Sequence, residues 1–157
     1  NYGEDTPIAL CGVSMGSSTV ALSTSLNLPS NVKCIICDCG YSSVKDEIKF
    51  TITQMGLPAW FFYPMLYLGA LMFAHINLKD GEVKNVLKGN KLPIIFIHGE
   101  KDQVVPYYMG KENFESSGGN KKFYSFPEAT HGISYLYDTP KYSSGMKEFL
   151  KEINFDK

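Results

Sequence analysis

Three short runs of almost unbroken apolar residues constrain this chain more than any other feature. They are "PIALCGV" at 7–13, "VKCIICD" at 32–38 and "LPIIFIHG" at 92–99, and "KKFYSFP" at 121–127 follows the same rhythm. Runs of this length without polar alternation are typical of parallel strands covered on both faces. Helix-length stretches lie between them. Residues 15–28 open with small side chains, and 106–116 open with a proline suited to a first helical turn. Residues 142–153 place Tyr142, Met146, Phe149, Leu150 and Ile153 on one face. Strands alternating with helices imply βαβ units, hence an α/β fold with a doubly wound, mostly parallel sheet of four strands. At 157 residues a single domain, large enough to bury a core, is expected.

In such a sheet the strands end at one edge, and ligands bind outside those carboxyl ends. The residues that follow the four runs are Ser14, Asp38, Asp102 in "HGEKDQVVP" and His131 in "ATHG". A nucleophile, two acids and a base, distant in sequence, are thereby expected on one rim. Ser14 sits in Gly12-Val13-Ser14-Met15-Gly16, the G-x-S-x-G pattern of a sharp strand-to-helix turn, where side chains at Gly12 and Gly16 are expected to clash. Such a turn exposes the hydroxyl at a helix N-terminus, where the Met15 amide and the helix dipole can stabilise an oxyanion. A serine hydroxyl is a poor nucleophile until a base takes its proton and an acid orients that base. His131 is the expected base and Asp102 the expected acid. Asp38 is the alternative acid, with a turn-anchoring role as its plainer reading. His75 and His98 are expected to be structural.

These residues carry a resemblance. "GVSMG", "DCGYSS", "LPIIFIHGEKDQVVP" and "ATHG" look like the C-terminal portion of an α/β-hydrolase, in the broad group of serine hydrolases with dienelactone-hydrolase-like and prolyl-oligopeptidase-like members. "IHGEKDQVVP" resembles the loop that bears the acid, and the order Ser, Asp, His is the family's order. The resemblance implies Ser14 as nucleophile, Asp102 as acid, His131 as base and the Met15 amide as an oxyanion donor. It also implies several strands before the elbow strand, one of whose loops supplies a second oxyanion donor. Only thirteen residues precede Ser14 here, so an N-terminally truncated piece is expected, inactive on its own. Its first strand would lie at a sheet edge, which a second copy of the chain could cover as a homodimer.

One segment departs from the rhythm. Between Phe50 and Leu78 there is no charged residue, and "LPAWFFYPMLYLGALMFAHI" approaches the length of a membrane span. Strands flank it on both sides and a span would split the sheet, so the expectation is a helical lid inserted at about 46–88 with an apolar underside. Trp60, Phe61, Tyr63 and Tyr67 are its candidate substrate contacts. A peripheral membrane contact through this lid is the weaker alternative.

Composition excludes other classes. All fifteen basic residues are lysines and the net charge is −1, so no basic patch suits nucleic acid, and bidentate arginine recognition is absent. The cysteines of "CIICDCG" have a metal-like spacing, but Cys34 and Cys37 fall on opposite faces of a strand. All four cysteines are expected to be free, buried and small, as in a reducing, cytoplasmic compartment. No metal and no cofactor is expected. The function expected is a serine hydrolase acting on a small-molecule ester or related acyl compound. A peptidase or thioesterase of the same fold, or a non-catalytic binding module, is the alternative.

Overall fold

Four parallel strands pair in chain order to form one sheet, β1-β2-β3-β4. They are β1 (Ile8–Val13), β2 (Val32–Asp38), β3 (Ile94–Gly99) and β4 (Lys121–Phe126). The computed structural model describes Gly3 and residues 6–155. Helix α1 (Met15–Leu22) joins β1 to β2. Helices α2 (Val44–Gln54), α3 (Ala59–Phe73) and α4 (Val83–Leu87) intervene between β2 and β3. Helix α5 (Tyr107–Ser116) joins β3 to β4, and α6 (Ser134–Tyr137) and α7 (Thr139–Glu152) follow.

The unbroken apolar runs are explained by two cores, one on each face of the sheet. Ile35 and Cys37 of β2 and Ile94 and Phe96 of β3 pack with Ala21 of α1, Val83 and Leu87 of α4, and Phe114 of α5. The alternate residues Cys34, Ile36, Ile95 and Ile97 pack on the other face against Phe149, Met146 and Leu150 of α7. Period-2 alternation therefore sends each strand's residues to opposite cores, and both sets must be apolar. The expected apolar face of the last helix, from Tyr142 to Ile153, is the face that meets this second core.

Element ends differ from expectation for local reasons. The first helix stops at Leu22 instead of reaching residue 28. The hydroxyls of Ser23, Thr24 and Ser25 donate to the carbonyls of Val20, Ala21 and Leu22, and the chain tightens into a 3-10 turn over Ser23–Ser25. The last helix begins earlier, at Thr139, because Asp138 caps it by accepting the Lys141 N–H at 2.9 Å and Pro140 suits the first turn. Cys11 is exposed, against expectation, because it lies on the edge strand; Cys34, Cys37 and Cys39 are buried, and all four are free.

The segment between β2 and β3 is helical, but α3 has no buried residue. It packs on α2 and on the 3-10 turn Leu78–Gly81. Trp60, Met65, Met72 and Phe73 are exposed. The expected apolar underside is therefore not formed: α3 is apolar all round, so most of it stays outside whichever face it packs. No helix among the described residues is long and apolar enough to cross a membrane.

At the end of β1 the chain turns sharply into α1. A Cβ on Gly12 would lie 2.1 Å from the Gly16 carbonyl oxygen, inside any allowed contact. A Cβ on Gly16 would meet nothing within 4 Å. Only the first of the two elbow glycines is sterically required, which corrects the expectation for the second. Gly12→Ala should lower the unfolding free energy by about 2–3 kcal/mol through backbone displacement. Gly16→Ala, inside a helix, should be neutral or stabilise by about 0.5 kcal/mol. Urea denaturation of the two variants measures the contrast; equal destabilisation would contradict the geometry.

Candidate active site

Parallel pairing delivers the ends of β1, β2, β3 and β4 to one edge. Ser14 follows β1, and its N–H donates to the Asp38 carbonyl at 2.8 Å, tying the elbow to the end of β2. Its backbone is in a strained region, φ 55° and ψ −122°. A non-glycine residue held there costs roughly 1–3 kcal/mol and persists only where the surroundings impose it. Here the imposing contact is the Gly12–Gly16 approach. The Met15 amide is the first of α1 and, at a helix start, has no carbonyl within the helix to bond.

The structure brings Ser14, His131 and Asp102 together. Ser14 Oγ–H donates to His131 Nε2 at 2.8 Å, and His131 Nδ1–H donates to Asp102 Oδ2 at 2.8 Å. Asp102 is immobilised by its own turn: Oδ1 accepts the Val104 and Val105 amides, both at 2.9 Å, which leaves Oδ2 for the imidazole. Burial pushes the Asp102 carboxyl up. Hydrogen bonds from His98, His131 and the two amides outweigh that cost and hold it below the ordinary aspartate value. An ionised, oriented carboxylate beside an imidazole fixes the ring's tautomer, with Nδ1 protonated and Nε2 free to accept.

His98 is the residue that sequence reasoning undervalued. It is buried in β3, its Nε2–H donates to the Val105 carbonyl at 3.0 Å, and the same nitrogen lies 3.3 Å from Asp102 Oδ2. It thus holds both the carboxylate and the loop that carries it. The available signal was its spacing, four residues before Asp102 at the end of the same strand.

Asp38 is not the hydrogen-bond partner of His131. Its Oδ2 accepts the Tyr142 hydroxyl at 3.0 Å, and burial raises its pKa despite that bond. Tyr142 belongs to α7, so Asp38 pins the last helix to the sheet rim. Nor do the lid aromatics gather at Ser14. Trp60 is 79% exposed and meets Phe61 edge-on, and Tyr63 and Tyr67 stack in a groove lined by Lys45, Lys79 and Glu82.

Among the described residues, one group could in principle hold a metal: Cys39, Asp102 and His131, with ligand-type atoms within 4.8 Å of one another. Two of these already share a 2.8 Å hydrogen bond. The third carries a thiol that burial pushes up to about 12, so its thiolate is costly to form. The trio therefore reads as part of the hydrogen-bonded site.

No protein-family model matches the chain. Among curated proteins it is 29% identical over 148 residues to bem46 of Schizosaccharomyces pombe, covering 94% of this chain and 44% of that protein. It is 21% identical to the lysophosphatidylserine lipase ABHD12 of Rattus norvegicus, covering 93% of this chain and 38% of the relative. The chain therefore spans less than half the length of these relatives. Among solved structures, an esterase of Pyrococcus furiosus matches with a TM-score of 0.66 at 22% identity, covering 94% of this chain and 53% of that one. Acetyl xylan esterase 1 of a Thermoanaerobacterium species matches with a TM-score of 0.64 at 16% identity, over 95% of this chain and 46% of that one. The parallel sheet, the strained serine elbow and these likenesses agree on the fold: the chain folds as part of an α/β-hydrolase fold.

Proposed function

We propose that this protein is a serine hydrolase that cleaves a carboxylic ester or related acyl compound, with Ser14 as nucleophile, His131 as general base and acid, and Asp102 as the orienting carboxylate. The observation that carries the reading is the pair of 2.8 Å hydrogen bonds linking Ser14 Oγ, His131 and Asp102 Oδ2. Supporting it are two similar proteins, an esterase and a lysophosphatidylserine lipase.

In this mechanism Ser14 Oγ attacks the acyl carbonyl while its proton passes to His131 Nε2. Negative charge collects on the carbonyl oxygen, where the Met15 N–H and the amino end of α1 stabilise it. Collapse expels the alcohol, which takes the proton from His131, and leaves Ser14 acylated. Water then attacks the acyl-enzyme, again giving its proton to His131, and the acid product departs with Ser14 restored. Asp102 stays ionised throughout and stabilises the imidazolium formed in each half.

Activity-based labelling tests the assignment. A fluorophosphonate should modify Ser14 in the intact natural protein, and Ser14→Ala should abolish labelling. Ser14→Ala and His131→Ala should each lower kcat by on the order of 10⁴–10⁶, and Asp102→Asn by about 10⁴. Labelling that survives Ser14→Ala sinks the reading.

The depressed Asp102 value also has a signature in stability. An aspartate ionises near 3.9 when unfolded, so the stabilisation from ionised Asp102 is full above about pH 5 and is lost as pH falls through its lower folded value. Wild type should therefore lose more stability between pH 6 and pH 3 (roughly the span that brackets this titration) than Asp102→Asn does. Parallel denaturation curves at several pH values measure it, and identical slopes would refute it.

A further inference from the structure

The outward side of α3 is apolar without interruption. Phe61, Met65, Leu68 and Met72 recur at the spacing of a single helix face, and Met65, Leu68 and Met72 are each more than half exposed. Trp60 and Phe73 stand exposed at the two ends. From Phe61 to Met72 no side chain of this stripe carries a nitrogen or an oxygen. A contiguous exposed apolar patch marks a surface that something else covers. At 15 residues the helix is about 22 Å long, shorter than the roughly 30 Å of a bilayer's hydrocarbon core. It has the length to lie along a bilayer surface and not to cross one.

The opposite side of α3 is aromatic and flanked by lysines. Tyr63 and Tyr67, one turn apart, stack with their rings 6.3 Å apart. The Lys49 ammonium lies 5.3 Å from the Tyr63 ring centre, and that of Lys79 lies 5.7 Å from the Tyr67 ring centre. Lys45 and Lys79 line a groove of about 400 Å³ together with both tyrosines and Glu82. Among the described residues, no carboxylate lies within ion-pair distance of Lys45, Lys49 or Lys79. The neighbouring carboxylates have partners inside the fold. Asp46 pairs with Lys84 at 3.6 Å, Asp80 accepts the Asn77 side-chain N–H at 3.0 Å, and Glu82 accepts the Ser43 hydroxyl at 2.8 Å. Three ammonium groups beside one apolar helix are thus left for an anion from outside. Lysine and tyrosine side chains are apolar along their length and polar at the tip, which suits both to an interface between oil and water.

We infer that α3 is a membrane-docking helix, which lies in the surface of an anionic phospholipid bilayer with Phe61, Met65, Leu68 and Met72 among the acyl chains and Lys45, Lys49 and Lys79 at the level of the headgroups. An isolated interfacial helix carries its own polar face; here α2 and the turn Leu78–Gly81 supply it. A second copy of the chain fits less well. Protein interfaces use directional hydrogen bonds, which the stripe does not offer, and a two-fold contact would bring the same unpaired lysines together. The inference goes beyond the hydrolase reading and does not depend on it.

Vesicle co-sedimentation of the intact natural protein tests it, with vesicles of phosphatidylcholine alone and of phosphatidylcholine and phosphatidylserine in equal parts. Wild type should bind the anionic vesicles at least about tenfold more tightly, and added salt should narrow the difference. Met65→Glu combined with Leu68→Glu should lower binding to both vesicles at least about tenfold. Lys45→Gln combined with Lys79→Gln should cost about fivefold per lysine on the anionic vesicles and leave binding to phosphatidylcholine unchanged. All four positions are on the surface, and thermal unfolding should show both variants folded. If the glutamate variant unfolds, the lysine variant decides. Binding that the glutamate variant leaves intact overturns the inference, and so does a wild type with no preference for the anionic vesicles. A wild type that ignores vesicles and sediments as a dimer, which the glutamate variant dissociates, overturns it in favour of a second copy.

Discussion

Because β1 to β4 run parallel and pair in chain order, every strand must leave the sheet at the same edge. That one constraint assembles the site. Ser14, Asp38, Asp102 and His131 are spread over more than a hundred residues, yet each lies at the end of a strand or within five residues after it, on a shared rim. The alternation of each strand between two apolar cores keeps the register from slipping, since a shift by one residue would exchange the two faces. The rim is as precise as the packing beneath it.

On that rim the polar groups are held by more than their mutual hydrogen bonds. Asp102 takes two backbone amides on one oxygen and faces His131 and His98 with the other. Carboxylate, ring and loop are thereby fixed before any substrate arrives, which removes reorganisation from the reaction step. Strain is concentrated in the same place. Ser14 and Cys39 both have positive φ, at 55° and 45°, and Gly132 beside the imidazole has 69°. Three residues of left-handed backbone around one hydroxyl mark where folding energy is spent on positioning.

The excursion between β2 and β3 contributes differently from what its sequence suggested. Its aromatics were natural candidates for a substrate wall, but α3 is apolar on every side and packs chiefly on α2 and the 3-10 turn of its own excursion. Its composition suggested burial, but a helix that is apolar all round leaves most of its surface outside whichever side it packs.

Much of the architecture could be read directly from the residues, since strand burial on two faces and helical periodicity are local patterns that the chain must satisfy wherever it folds. The four strands, the apolar face of α7 and the candidate triad were legible for that reason. Helix ends were less so, because the hydroxyls of Ser23, Thr24 and Ser25 compete with the helix only once their carbonyl partners are in place. The choice of Asp102 over Asp38 as hydrogen-bond partner of His131 and the support from His98 were decided by tertiary structure alone. Each depends on which side chains share a space of a few ångströms, and that distance is set by packing between strands and helices that sequence separation does not measure.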